Sequence, residues 1–461
     1  MFPWLFLAGC NKSARLAAGG VILLLALLPA CSREGTDTLS QQKSSHDEEE
    51  LSAWDASSAR EDADQPAAGR WRKYRTNKFE EGLSQEQREA MEQLETIGYA
   101  SGSAEAKNVS GVVRHVSEEA CAGFNFFTSG HAQAALLMDM KGRVLHEWSN
   151  EFWKIWPGYP TEKSNVHTQF WRRAHLFENG DILVIYEGLG LVKLDKDSGV
   201  IWSNPGKMHH DLQVMPDGDI YVLTREARME PRLNPKAPIL EDFISILDAG
   251  GKEKERISVL ECFQNSKKFR DIWRGKAQPA GDLFHTNTVL VLDGRLESRS
   301  AAFKKGHLLI SLRQPNLIAV VSLEQKKIVW ALKGDFRKQH DPKILENGNM
   351  LLFDNGGQRN ASKVIEFDPL TRDVAWCYSG REGEPFYSKT CGTAERLING
   401  NTLITESDMG RAFEVTPDKK IVWEFFNPYH AGQKREYIAT LFEVIRLKPE
   451  FPVSWAQNRL E

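Results

Sequence analysis

Three histidines stand at nearly one position of a repeating phrase in this sequence. Seven residues before the Asp of Asp217-Gly218 lies His210, and seven before the Asn of Asn347-Gly348 lies His340. Eight before Asp293-Gly294 lies His285, and a count of seven from Asn179-Gly180 and Asn399-Gly400 gives Arg172 and Gly392. A lone histidine is usually structural, but three brought together by repeat symmetry form a site. Imidazole titrates near neutrality and can serve as nucleophile, acid or base. Asn287, two residues after His285, is expected to share its face, while Asp211 and Asp341 point away from His210 and His340. His209 faces opposite to His210, and register alone admits either at the axis. Arg313 ends the strand HLLISLR, and antiparallel pairing returns that end to where His285 begins.

A guanidinium beside three imidazoles suits an anion. Three histidines could instead hold zinc, copper, iron or nickel, but no close-spaced pair such as HExxH is present and Arg313 would repel a cation. No metal is therefore expected. The absence of a Walker loop and of a GxGxxG fingerprint leaves nucleotide cofactors without a visible seat, so no cofactor is expected either.

The elements that must position these residues are strands. From residue 125 onward each copy reads as an apolar strand, an Asn-Gly or Asp-Gly turn, two further strands and a closing strand, as in Trp148, Trp202, Trp330, Trp376 and Trp423. The turns are expected to be type I′, with φ > 0 at both central residues. The first copy lacks an opening strand, and the chain closes on an unpaired apolar strand, Thr440 to Leu447. A ring whose last strand completes its first blade accounts for both and removes open edges. The fold expected is all-β, a six-bladed β-propeller over residues 120–450, followed by a short C-terminal tail at 451–461. An open solenoid or two sandwiches are the alternative.

The 461 residues carry 59 Lys plus Arg against 63 Asp plus Glu, a net charge of −4, which excludes a nucleic-acid binder held by a basic field. Lys12 and Arg15 precede an apolar run, Leu16 to Pro29, shorter than the roughly 20 residues of a membrane span. Residues 1–31 therefore read as a signal, residues 32–83 as a disordered acidic tether, and residues 84–119 as a short capped helix and a lead-in. Leu28-Pro29-Ala30-Cys31 resembles the bacterial lipobox, in which Cys31 would be lipidated, giving a periplasmic protein attached to a membrane. Leu7-Ala8-Gly9-Cys10 fits that box better but has no basic residue before it. Of the remaining cysteines, Cys121, Cys262, Cys377 and Cys391, sequence admits three pairings, and Cys377 with Cys391 is the disulfide expected in an oxidising compartment.

The phrases HHDLQVMPDGDIYVL, HTN followed by LISLRQPNLIAV, and QHDPKILENGNMLLFDNG resemble the bacterial arylsulfotransferases and span most of residues 120 to 447. The resemblance implies a periplasmic six-bladed propeller that moves a sulfuryl group from an aryl sulfate donor to a phenolic acceptor without a nucleotide. It implies a histidine nucleophile at His340, two further histidines at His210 and His285, an arginine at Arg313, and substrate contacts at Thr286 and Asn287. In that scheme His340 forms an N-sulfohistidine, Arg313, Asn287 and His285 donate to the sulfonate oxygens, and His210 handles the proton. The chain departs from the family in its tether, in about 60 residues between Thr224 and His285, and in the inserted loop ESRSAAFKKG. A non-catalytic envelope propeller acting as a binding scaffold is the alternative, with a quinoprotein-like dehydrogenase behind it.

Overall fold

The computed structural model describes residues 83–96, 104–161, 165–275, 279–357, 360–380, 386–431 and 436–459. The apolar run, Cys31 and the acidic segment lie outside the described residues, and among those described no helix is long and apolar enough to cross a membrane.

Among the described residues six sheets built on four antiparallel strands follow one another along the chain, beside a two-stranded ribbon of His430–Ala431 and Tyr437–Ile438. Their innermost strands are Leu441–Leu447, Arg173–Leu176, Met208–Val214, Thr286–Val291, His340–Ile344 and Thr393–Arg396, for the first to the sixth blade in turn. The first of these comes from the C-terminal end of the chain and pairs with Phe124–Ser129, so the ring closes as a six-bladed β-propeller. The sixth blade gains a fifth strand, Gly111–His115, on its outer edge, so the propeller begins before residue 120. The tail is likewise built in: Trp455 Nε1 donates to the Glu178 carbonyl (3.1 Å) and Ala456 is buried.

The closing tryptophans explain the repeat. Trp148 donates its indole N–H to the Gly180 carbonyl of the second blade, Trp202 to Ala249 of the third, Trp376 to Pro417 of the sixth and Trp423 to Met140 of the first (2.8 to 3.1 Å). Four closing strands are thereby fastened to the next blade, and Trp423 fastens the last blade to the first. Trp330 rests instead on Phe303 of the inserted loop (ring centroids 5.1 Å).

The turns differ from expectation. At Gly180, Gly218, Gly348 and Gly400 φ is positive (83° to 90°), but Asn179, Asp217, Asn347 and Asn399 are not left-handed. Gly180 N donates to the Phe177 carbonyl and Asn179 Oδ1 accepts from Asp181 N. These loops are type I turns closed by a left-handed glycine, and the preceding Asn or Asp is needed for its side-chain acceptor rather than its φ.

The third blade carries the long insertion. Its strands Ile220–Glu230 and Asn234–Leu247 form a hairpin extending beyond the blade, and the short strand Gly281–Asp282 joins it in parallel at Ile239 and Leu240. The helix Gln85–Thr96 opens on a reciprocal cap between Ser84 and Gln87, and Gln87 reaches the Pro235 carbonyl on this hairpin.

Candidate active site

Each innermost strand ends at its turn on a paired residue: Leu447, Leu176, Val214, Val291, Ile344 and Arg396. Four residues back stand Glu443, Arg172, His210, Asn287, His340 and Gly392, all buried. On the second strand of each blade, five residues beyond the partner across the turn, stand Ser129, Glu187, Arg225, Arg313, Asn355 and Ser407. Both sets are polar apart from Gly392; Glu443 of the first pairs with Arg173 (2.9 Å), and Arg313 is the half-buried member of the second.

The same register corrects the count for the fourth blade. Asn287, not His285, is the equivalent of His210 and His340. Asp293-Gly294 does not close a tight hairpin there: the strand ends at Val291, which pairs with Leu308 across the inserted loop. His285 stands two residues nearer the mouth and still joins the cluster, its ring 5.0 Å from that of His210. His210 and His285 both have left-handed backbones (φ 55° and 50°), beside bulges in the ladder that aim them at the axis at a cost of about 1–2 kcal/mol each.

The aspartates that follow the histidines turn from the imidazoles into a second buried network of charges. Asp211 Oδ2 accepts from Val289 N and Asp341 Oδ2 from Ala394 N across the blade junctions, while Asp211 Oδ1 pairs with Arg173 and Asp341 with Lys343 (2.9 Å each), and Arg173 reaches on to Glu443 of the first blade. Gln339, fully buried, ties the lead-in of His340 to the fourth blade: its Nε2 donates to Leu312 O and Leu317 O, and its carbonyl accepts from Asn287 Nδ2 (2.8 Å).

Each histidine has its own partner. His340 Nδ1 lies 2.7 Å from Asn355 Oδ1. His285 Nδ1 lies 2.6 Å from Asp282 Oδ2, and its main-chain N–H donates to the other oxygen of that carboxylate. His210 donates its main-chain N–H to Glu187 Oε2, with its Nδ1 2.9 Å from Nδ1 of His209. His209 is itself fully buried, with Nε2 3.7 Å from Asp242 Oδ1, so it stands behind His210 rather than replacing it at the axis. Arg313 N donates to the His285 carbonyl, and the guanidinium acts electrostatically on both His285 and His340. Thr286 turns from the axis and donates its main-chain N–H to Asp242 Oδ2.

Burial dominates the electrostatics. It holds His209, His210 and His340 well below the usual imidazole range. Burial also brings His285 down to about 4, against Asp282, which favours the imidazolium. Asp242 is pushed up to about 7 by burial and by the neighbouring Asp282. Asp282 is buried too, yet His285 and Arg225 hold it below the usual carboxylate range. The resting site therefore presents neutral imidazoles among Arg172, Arg225 and Arg313, an environment for a nucleophile and a bound anion. Glu187, His209 and His210 bring donor atoms within 4.8 Å of one another. Arg172 lies 3.7 Å from the same Glu187 carboxylate and Arg225 acts on it as well, which opposes a cation there.

The expected disulfide is not formed. Cys377 lies in the outermost strand of the fifth blade, whereas Cys391 lies at the mouth, its Sγ 3.5 Å from Arg172 Nη2. Strands between them separate the two radially, and all four described cysteines are buried thiols.

Glu187, Arg225, Asp242, Asp282 and Asn355 were not anticipated. Glu187, Arg225 and Asn355 share the register of Arg313, and that position applied to every blade would have found them. Asp242 and Asp282 sit on the long hairpin and its added strand, outside any repeat.

Residues 173–428, more than half of the chain, match the family described as Arylsulfotransferase (ASST). No curated protein matches the chain. Similar solved structures include a protein of unknown function from Bacteroides caccae (12% identity, 66% of this chain and 94% of that chain, TM-score 0.43). A streptogramin B lyase is 14% identical over 74% of this chain and 95% of its own, with a TM-score of 0.39. The β-propeller domain of Cps50 from Myceliophteria thermophila is 10% identical over 75% of this chain and all of its own, with a TM-score of 0.40.

Proposed function

The chain belongs to the arylsulfotransferase family, and from that premise we propose that it transfers a sulfuryl group from an aryl sulfate to a phenol through an N-sulfohistidine on His340. The observation that carries this reading is the convergence of His210, His285, His340 and Arg313 at one channel mouth, with His340 buried and uncharged at rest.

In the first half-reaction the lone pair of neutral His340 attacks sulfur, the N–S bond forms, and the S–O bond breaks with its electron pair on the phenolate oxygen. The product on His340 is an N-sulfoimidazolium, so His340 sheds no proton at this step. Arg313, with His210 and the free N–H of Asn287, neutralises the sulfonate oxygens where charge spreads. In the second half-reaction the acceptor phenol gives its proton to His285 and attacks sulfur, and the N–S electron pair returns to His340. The imidazolium left at His285 then protonates the phenolate released from the next donor, so the proton balance closes over a cycle.

Proton handling is assigned to His285 rather than to His210, because His285 has a carboxylate at hydrogen-bond distance from Nδ1 that stabilises the imidazolium formed at Nε2. The propeller would work in the periplasm, attached to a bacterial membrane through Cys31. The test is incubation with an aryl sulfate and a free phenol in the absence of any nucleotide sulfate. Formation of the second aryl sulfate supports the reading, and binding without transfer favours the scaffold.

A further inference from the structure

Asn355 follows the second strand of the fifth blade and is fully buried. It is held from several sides. Asp354 Oδ1 accepts from Gly356 N and from Arg337 N, closing the turn on either side of Asn355. Gly356 is left-handed (φ +72°), and a Cβ there would lie 1.9 Å from the Ala361 carbonyl oxygen, so only glycine fits beside Asn355.

The amide orientation follows from its neighbours. Nδ2 donates to two main-chain carbonyls, Ser388 O at 2.7 Å and Cys391 O at 2.9 Å. Both hydrogens of the NH2 group are thereby used. Rotating the amide would set Oδ1 against two carbonyl oxygens, so Oδ1 must be the atom that faces His340. A carboxamide oxygen only accepts, and it lies 2.7 Å from Nδ1 of His340. That nitrogen must therefore carry the proton in neutral His340.

We propose that Asn355 is a positioning residue that locks His340 in the Nδ1–H tautomer and presents the Nε2 lone pair to the axis as the nucleophilic atom. The claim rests on the transfer reading for its use, but the tautomer is a property of the resting protein. The lock also matters after attack. Sulfuryl transfer to Nε2 makes Nδ1–H a stronger donor, and its acceptor is already in place, so the charged adduct is stabilised without rearrangement.

The test uses the full chain labelled with [15N]histidine, with His340 assigned by comparison with His340→Gln. A protonated Nδ1 and an unprotonated Nε2 in the resting protein are expected. After treatment with 4-nitrophenyl sulfate, sulfation on Nε2 is expected. Asn355→Leu should mix the tautomers and slow the phenol burst by about 10–100-fold at little changed donor KM. Asn355→Asp, which keeps an acceptor, should retain the tautomer. A resting Nε2–H tautomer, or an adduct on Nδ1, overturns the proposal without need of any variant. A resting Nδ1–H tautomer in a protein that is never sulfated supports the lock and overturns the transfer reading instead.

Discussion

Asp282 Oδ2 lies 2.6 Å from Nδ1 of His285, and the same carboxylate accepts the His285 main-chain N–H at 3.0 Å. Asp282 arrives on a strand added to the long hairpin of the third blade, so the insertion that sets this chain apart from the repeat supplies the carboxylate that partners His285, the residue to which the proposal gives the proton.

Asp282→Asn should therefore separate the two half-reactions. With 4-nitrophenyl sulfate, whose phenolate leaves without a proton, the burst should remain within a few-fold of wild type. Transfer to the acceptor should fall by about 10²–10⁴, the range for loss of a general base. Rapid-quench measurement of the two phases decides. Equal slowing of both would place Asp282 outside proton transfer.

The same pair predicts a pH dependence. His285 must be neutral to accept the acceptor's proton, and its folded value is about 4, so the second phase should be flat near neutrality and fall as pH drops through about 4. Stability should fall in the same direction. His131, His167, His175 and His285 are each held to about 4 by burial, below the ordinary 6.5. Between those values the unfolded chain binds more protons than the folded one, so stability is full above 6.5 and is lost as pH falls toward 4. Thermal melts across that window check the sign.

Arg313→Ala should lower turnover by about 10²–10³, the loss typical of one transition-state donor. Arg313→Lys should not restore it fully, since an ammonium lacks the planar fork. Steady-state kinetics on both variants is the measurement, and unchanged turnover in Arg313→Ala would remove the residue from the chemistry.

How far these relationships could be read from the sequence depended on whether the repeat reached them. His210 and His340 are legible because they occupy a position that recurs from blade to blade, and Arg313 because antiparallel pairing returns the end of its strand to the start of the His285 strand. Glu187 and Asn355 occupy the same position as Arg313 and were missed only because that position was read in one blade. His285 was found by a count whose basis failed, because Asp293-Gly294 opens an insertion rather than a hairpin. Asp242 and Asp282 had no such signal: a cross-strand neighbour and a parallel strand of two residues are tertiary facts that no local spacing records. The closing strand was predictable because an unpaired apolar strand and a first blade without an inner strand are complementary. The Cys377 to Cys391 pairing failed because nearness in sequence is not nearness across a blade.

Ring closure gives a stability prediction. Arg446, in the closing strand, donates to Asn125 Oδ1 and pairs with Glu414 of the sixth blade at 2.9 Å. Removing residues 441–461 should abolish cooperative unfolding, because the first blade loses its inner strand and the ring gains open edges. Trp423→Phe should cost only about 1 kcal/mol, for one hydrogen bond to the Met140 carbonyl. A truncated chain that melts cooperatively would contradict the account of closure.

The central claim is that His340 carries the sulfuryl group between donor and acceptor. Its most direct test is mass analysis of the protein after treatment with 4-nitrophenyl sulfate alone, with the released phenol counted at the same time. The account predicts about one equivalent of phenol and one added SO3 per chain, localised to His340, both absent in His340→Gln and the adduct discharged by a phenol acceptor. Full donor-to-acceptor transfer with no adduct on His340 would contradict it.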